Sequence, residues 1–478
     1  MNDRSRRWAA LWVIALAQFM VIMDTSIIGV ALPKMRADLG FGAESLQWVF
    51  NAYVVAFGGL LLLGGRLSDL FGARRMFATG WVVLLAGSIV SALASTSSVE
   101  LIGRAAQGAG SALIAPAALT LLMTLFGGTS DLPKAIALYG AAAPAGGTAG
   151  VFLGGVITQW LSWPWIFWLY VPIALAALAA TPLLMPKTTG RRGSVDLLGA
   201  VTVTAGLALA VFGVVRAPQV GWTSTATVLS LLGAVLLLAA FLGIEATVRT
   251  PLVRLSIFRT PLLGSANLAQ LLLGAAWVPM WYFLNLYLQQ VLGYGAFASG
   301  AALLPMTVLI MVLMVGVAPR LIGRFGPKPL VVGGLFALAA GLLWLSFARS
   351  TGNFAVDVLP ATLVAALGQA LAFIPSLGTA LSSARPEEGG LAAGIVNTAY
   401  QIGSALGLAA MTAVAASHGA TRLGDPARLT NGFAAAFTGA ALIAALGGLI
   451  TLAVWRTRTG PPAEPSEPIA VDVPTPAT

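Results

Sequence analysis

The chain has 478 residues, of which 58% are hydrophobic and only 9% charged, with a mean hydropathy of +0.91. A soluble domain carries roughly 25% charged residues, so a water-soluble globular chain is excluded. The net charge of +10 does not point to nucleic acid, because the basic residues are spread over short loops rather than gathered on one face. With no cysteine and a single histidine, His418, the sequence implies no disulfide framework, no metal site and no bound cofactor.

Apolar runs of roughly 18–25 residues predict an all-α polytopic membrane protein with about fourteen spanning helices. Their approximate limits are 8–32, 46–65, 76–95, 99–125, 134–160, 163–185, 196–216, 226–246, 262–290, 297–317, 329–348, 356–382, 390–416 and 433–455. The first run is too long for a cleavable signal. The tail beyond 458, rich in Pro, Ala and Glu, is expected to be disordered and cytoplasmic.

The first run contains Asp24, in FMVIMDTSIIGVALP, the one carboxylate placed deep in the membrane. A carboxylate there must be paired, hydrated or protonated, which makes Asp24 the candidate proton carrier. A helix cap or a static ion pair is the alternative. Between the second and third runs lies the charged turn GGRLSDLFGARRM, 64–76. Gly64 and Gly65 allow close helix approach, Asp69 and Gly72 sit in the turn, and Arg74 and Arg75 leave it. Asp69 is read either as a cap of the third helix or as a latch made in one conformation only.

The fourth run carries Arg104, in ELIGRAAQGAGSALIAP. At 1.5 Å per residue, Asp24 lies roughly 12 Å and Arg104 roughly 5–8 Å below the outer ends of their helices. The two are therefore at similar depth, and a fixed cation governs when a nearby carboxylate releases its proton. A snorkelling arginine is the alternative. Gln107 is one turn on. The fifth run reads YGAAAPAGGTAGVFLGGVI. Pro144 with Gly146, Gly147, Gly150, Gly154 and Gly155 makes it small-faced, for tight packing or for a moving bend.

The turn at 64–76 has an echo about 250 residues later, PRLIGRFGPKPLV at 319–331. Arg66-Leu67 aligns with Arg320-Leu321 and Gly72 with Gly326. One loop used twice implies two halves on one plan, as in alternating-access carriers. The first loop follows the second run and the second follows the tenth, so two extra helices must lie between six-helix halves. The expected divisions are 1–190 and 256–457 for the halves, with 191–255 for the inserted pair. In the second half no carboxylate is deep. The candidates for a cavity are Asn267, Gln270, Trp277, Trp281, Asn285, Gln369, Asn397, Tyr400 and Gln401, with Gln107 from the first half. Amides and aromatics of this kind suit an amphiphilic organic ligand. Asp196, Glu245, Glu387 and Glu388 read as loop or interface charges.

Orientation follows from the basic residues. With the N-terminus inside, only Lys34, Arg36, Arg216, Arg349, Arg422 and Arg428 of the 26 lysines and arginines fall in outer segments, and Arg104 lies within a helix. That bias places both termini in the cytoplasm.

These motifs, in this order, resemble the major facilitator superfamily, and specifically its fourteen-helix drug:proton antiporter branch, over about residues 10 to 455. The turn matches the family's signature loop through Gly65, Asp69, Gly72, Arg74 and Arg75. MDTSIIGVALP resembles its first-helix motif, with Asp24 and Pro33 matching and Gly29 where asparagine is usual. LIGRAAQGAGSAL is similar to its fourth-helix motif, carrying Arg104, Gln107, Gly108 and Gly110. DLLG at 196–199, PLVRLSIF at 251–258 and YLQQVLGYGAFASGAALLP at 287–305 are further points of likeness. Val151 stands where the fifth-helix motif has proline, and Tyr170 where asparagine is usual. The resemblance implies a transporter and not an enzyme. It implies a monomer in the plasma membrane that exports hydrophobic or amphiphilic drugs or antibiotics in exchange for protons. Its partners would be the lipid bilayer, a small organic substrate and protons, with no nucleic acid. A carrier of a metabolite or lipid on the same fold is the alternative. An intramembrane enzyme would need a nucleophile with a base, or a metal cluster, and neither is visible.

Overall fold

A computed structural model describes residues 3–41, 48–188, 190, 196–248, 251, 262–384, 389–420 and 425–455. The described residues are helical and contain no strand, as a bilayer demands of a backbone that cannot bond to water. Thirteen helical spans are long and apolar enough to cross a membrane, and a shorter apolar stretch at Leu198–Val214 accompanies them. The tail from 456, the 251–258 loop beyond Pro251, and Glu387 and Glu388 lie outside the described residues.

The first bundle comprises α1 (Asp3–Leu39), α2 (Trp48–Phe71), α3 (Ala73–Ala92), α4 (Ser97–Phe126), α5 (Leu132–Trp160), α6 (Pro164–Trp168) and α7 (Tyr170–Leu184). The last two are one span, 164–184, interrupted at Leu169. Pro172 explains the break, because its ring clashes with the carbonyl four residues back and offers no N–H. Next come α8 (Leu197–Val220) and α9 (Thr225–Thr247). The second bundle comprises α10 (Leu263–Leu286), α11 (Ala296–Val312), α12 (Ala318–Phe325), α13 (Pro327–Leu345), α14 (Leu359–Ser383), α15 (Gly389–Ser417) and α16 (Pro426–Val454). Five-residue π turns at Tyr287–Val291, Leu313–Val317 and Phe354–Val358 extend α10, join α11 to α12, and lead into α14.

Leucines and valines of α9 and α16, such as Leu229, Leu236, Leu442 and Leu446, point outward. In the interior, alanines and glycines at the helix contacts alternate with large side chains such as Phe77, Trp81 and Leu122. This is the arrangement expected where lipid is as apolar as leucine and helices associate by close backbone packing. On α3 and α4 a Cβ added at Gly80 would meet Gly110 O at 2.8 Å, and one at Gly87 would meet Gly103 O at 2.7 Å. On α13 and α14 a Cβ at Gly334 would meet Gly368 O at 2.8 Å, and one at Gly341 would meet Ala365 N at 2.5 Å.

The internal repeat therefore reaches further than the loop. Gly72 and Gly326 hold left-handed φ values of 90° and 76°. Gly80 and Gly87 follow the first at the same spacings at which Gly334 and Gly341 follow the second. The turn and the packing face of the next helix are repeated together.

The two bundles meet along two seams. On one, α2 and α4 pack on α15; on the other, α5 packs on α11 and α14. The inserted α8 rests on both α2 and α15, with α9 outside it. Asp196 caps α8 through Gly199 N at 2.9 Å. Both Asp196, at the end of its connection, and Glu245, in the last turns of α9, are buried. They converge where a Cβ at Gly199 would stand 2.6 and 2.7 Å from their oxygens.

The packing contact of Gly64 is a direct test of this architecture, because a Cβ there would overlap the carbonyl of Ala112 on α4. Gly64→Val should lower stability by about 1–3 kcal/mol through overpacking. Gly333→Ala, which meets open space, should raise it by about 0.5–1 kcal/mol. Thermal unfolding of the purified variants in detergent measures both, and equal effects would mean that the α2–α4 contact is not close.

Candidate functional site

Asp24 sits on α1 with its side chain turned away from the centre of the molecule, toward α4. Its Oδ2 is 2.7 Å from Arg104 Nη1, and the two side chains are 2% and 0% exposed. Several neighbours hold the guanidinium. Arg104 Nε donates to Val49 O at 2.9 Å, and Nη1 also donates to Gln107 Oε1 at 2.6 Å. Gln107 is fixed in turn by donating from Nε2 to Ser88 Oγ at 2.8 Å. The Tyr53 ring lies 4.8 Å from the guanidinium carbon and Phe167 lies 5.9 Å from it. Tyr53 donates to Ser111 Oγ at 2.9 Å. Tyr170, one of the departures from the family pattern, places its buried hydroxyl beside Asp24.

Desolvating two charges costs more than their attraction returns in many proteins, so a pair this dry is weak evidence for stability.

The fifth-helix glycines divide by face. Gly146 and Gly150 press on the α1 backbone at Phe19, Met23 and Ile27, immediately around Asp24. A Cβ at Gly147 would stand 3.3 Å from Trp281 of α10, and one at Gly140 would stand 3.3 Å from Phe373 of α14. Thr158 donates to Gly154 O at 2.6 Å. Val151 is buried within the same helix.

A cavity of about 400 Å³ lies between the bundles, walled by α1, α2, α5, α10, α14 and α15, with Val214 of α8 at its edge. Gln270, Trp277, Trp281, Gln369, Asn397, Tyr400 and Gln401 line it, as the sequence suggested. Three candidates do not. Gln107 is committed to Arg104 and Ser88. Asn267 is buried and donates to Leu263 O one turn back. Asn285 accepts from Gln289 and Ser299, each at 2.8 Å. Amides alone did not reveal which helix face each occupies. The sequence reading missed Gln18, Asn51 and Tyr139 in the first bundle, where Tyr139 donates to Gln18 Oε1 at 2.8 Å. Their signal was a polar side chain inside an apolar run.

None of the lining residues is charged. Val21, Ile22, Thr25 and Ser26 of α1 face the cavity, while Asp24 faces away. The ion pair and the cavity therefore share α1 without sharing space.

At the end of the molecule that carries Gly72, Asp69 accepts from Leu391 N at 3.0 Å. Leu391 is in the first turn of α15, where a carboxylate is favoured by the helix dipole. The cap of α3 is Gly72, with no side-chain bond. Asp69 thus ties the two bundles together instead of capping its neighbour. Gly65 lies 3.6 Å from where a Gly394 Cβ would be, so the seam is close there. Arg74 N donates to Thr188 Oγ1 at 3.0 Å and Arg74 Nη2 to Pro182 O at 3.1 Å, within the first bundle. Arg75 is exposed.

A model of the Major Facilitator Superfamily matches residues 14–408. The chain belongs to that superfamily. Membership makes it a multi-pass membrane transporter rather than an enzyme. The cephamycin export protein CmcT of Amycolatopsis lactamdurans is 39% identical over 92% of this chain and 91% of the relative. The puromycin resistance protein pur8 of Streptomyces alboniger is 36% identical over 94% of this chain and 90% of the relative. Among solved structures, the proton:xylose symporter XylE superposes with a TM-score of 0.68 at 15% identity, covering 95% of this chain and 97% of that one. The last of these speaks to the fold alone.

A hydrogen bond to a charged group contributes about 1.5–3 kcal/mol, so Asp69→Ala should loosen the α2–α15 seam. The chain has no cysteine, and Ala393 is fully buried at that seam. Maleimide labelling of Ala393→Cys should be about tenfold faster in the Asp69→Ala background. An unchanged rate would show that Asp69 does not hold the bundles together.

Proposed function

We propose that this transporter exports uncharged or weakly cationic amphiphilic compounds, antibiotics among them, from the cytoplasm in exchange for protons. The observation that carries the reading is the dry Asp24–Arg104 pair set behind a cavity with no charged wall. Indole and phenol faces and amides would hold a substrate by area, by cation–π attraction and by a few hydrogen bonds. A proton on Asp24 would release Arg104 without touching the substrate. Because Gly146 and Gly150 grip α1 around Asp24, a change in that pair would move α1 against α5 and so reshape the cavity. The names of CmcT and pur8, an exporter and a resistance protein, support antibiotics as the cargo.

In this scheme the protein works as a monomer in the plasma membrane, with both termini in the cytoplasm and the proton gradient as its energy source. Opening at the cytoplasmic end would require Asp69 to leave α15. Substrate and proton would occupy separate sites and compete only through conformation.

The test is exchange in reconstituted vesicles with a panel that includes puromycin and a cephamycin. Wild-type protein should move protons inward as substrate moves outward. Asp24→Asn should bind substrate and move no protons. Arg104→Lys keeps the charge but loses the planar fork that meets Asp24, Gln107 and Val49 together, so it should retain only part of the rate. Normal coupled efflux by a well-expressed Asp24→Asn protein would exclude the role given to Asp24. Flux of a metabolite or lipid in place of the panel would favour a different cargo on the same fold.

A further inference from the structure

A second acid is buried beside this pair. Glu100, in the first turn of α4, is 0% exposed. It precedes Arg104 by four residues, so the two share a helix face with the glutamate on the favourable, N-terminal side. Neither Glu100 oxygen has a hydrogen-bond partner, and Arg104 Nη2 has none either. An unused acceptor and an unused donor thus stand one turn apart on one buried face. The groups around Glu100 are few. Arg104 of α4 and Asp24 of α1 are the charges that act on it, and the Ser91 hydroxyl faces it from α3 without closing a bond. Tyr53 and Tyr170 border the other side of Arg104 and Asp24.

An ionised carboxylate cannot be left dry and unpartnered at such a place, whereas a carboxylic acid can. We propose that Glu100 is a second proton carrier, and that Arg104 passes from Asp24 to Glu100 when the proton passes from Glu100 to Asp24. In the state seen here, Asp24 is ionised and bound to Arg104, and Glu100 holds a proton. In the exchange, the O–H bond at Glu100 breaks and one forms at an Asp24 oxygen. Arg104 then turns one helical turn toward the new carboxylate. The exchange itself creates no net charge in the membrane, because the guanidinium keeps one anionic partner before and after it, and the return is neutral when Glu100 takes up its proton as Asp24 gives one up. Asp24 later releases its proton, Arg104 returns, and Glu100 is reprotonated.

The inference rests on the proton-coupled reading above, which places the N-terminal end of α4 outward. Glu100 is then the outer station and Asp24 the inner one, in the direction of inward proton flow. The closing experiment has one arm that does not depend on transport.

Infrared spectra of the purified full-length protein distinguish carboxylic acid from carboxylate. At neutral pH the wild type should show an un-ionised carboxyl C=O band that Glu100→Gln lacks. Asp24→Asn should lose the same band, because Glu100 ionises to pair with the abandoned Arg104. Because the converging Asp196 and Glu245 can absorb in the same region, the reading is the difference from wild type: a carboxyl absorption undiminished in Glu100→Gln, or undiminished in Asp24→Asn, overturns the proposal. In vesicles, substrate-driven proton flux in Glu100→Gln should fall at least about tenfold with substrate binding retained, as for loss of an acid–base group. Glu100→Asp should recover part of it. Should Glu100→Gln fail to fold, Glu100→Asp and Asp24→Asn still decide the question in the infrared. A wild type that moves no protons would sink the antiport reading, and the infrared arm alone would then judge Glu100. Normal coupled flux in Glu100→Gln would sink the relay and leave antiport standing.

Discussion

Keeping one guanidinium dry is the constraint around which the first bundle is organised. Arg104 draws on α1 for its counter-ion, on α2 for a backbone carbonyl and an aromatic face, and on Gln107 of its own helix. α3 contributes at one remove by holding Gln107 through Ser88. Four helices are thereby indexed to a single side chain. A cation with five donors and no way to lose its charge is the residue type that can do this. The glycine contacts between α3 and α4 let the helices approach until those short bonds close.

The cavity is built on the opposite principle. It has aromatic surface, amides and hydroxyls, and no fixed charge. Such a wall sets few geometric demands, so ligands of different shapes can use different parts of it at similar affinity. Phe373 meets Tyr400 edge-on with ring centroids 5.7 Å apart, and Trp277 lies tilted against Trp281 at 6.3 Å. The uncharged cavity wall and the buried ion pair coexist because α1 carries them on separate faces.

The helices, their order and the family were legible in the sequence because a bilayer enforces length and hydropathy on every span. Asp24 and Arg104 were legible as well, since charge in an apolar run is conspicuous. Glu100 was not. It stands near the end of a run, where a carboxylate looks like an interface residue, and only its four-residue spacing from Arg104 carries a hint. Asn267, Asn285 and Gln107 were misplaced for a related reason: hydropathy gives depth, but an amide's face on the helix depends on crossing angles that distant packing sets. The break at Leu169 was written in Pro172, and the burial of Asp196 and Glu245 depended on how α8 and α9 pack on each other.

The scaffold repeats itself, yet the tie across its Gly72 end does not. Asp69 precedes Gly72 by three residues, and the same place before Gly326 holds Gly323. At that place in its own turn the second bundle therefore has no carboxylate matching the one with which Asp69 grips α15. Two halves that share a turn and a packing face are thus joined at this end by a fastening that belongs to one of them. The strength of that joint can then change at one side chain, with no change to the shared architecture.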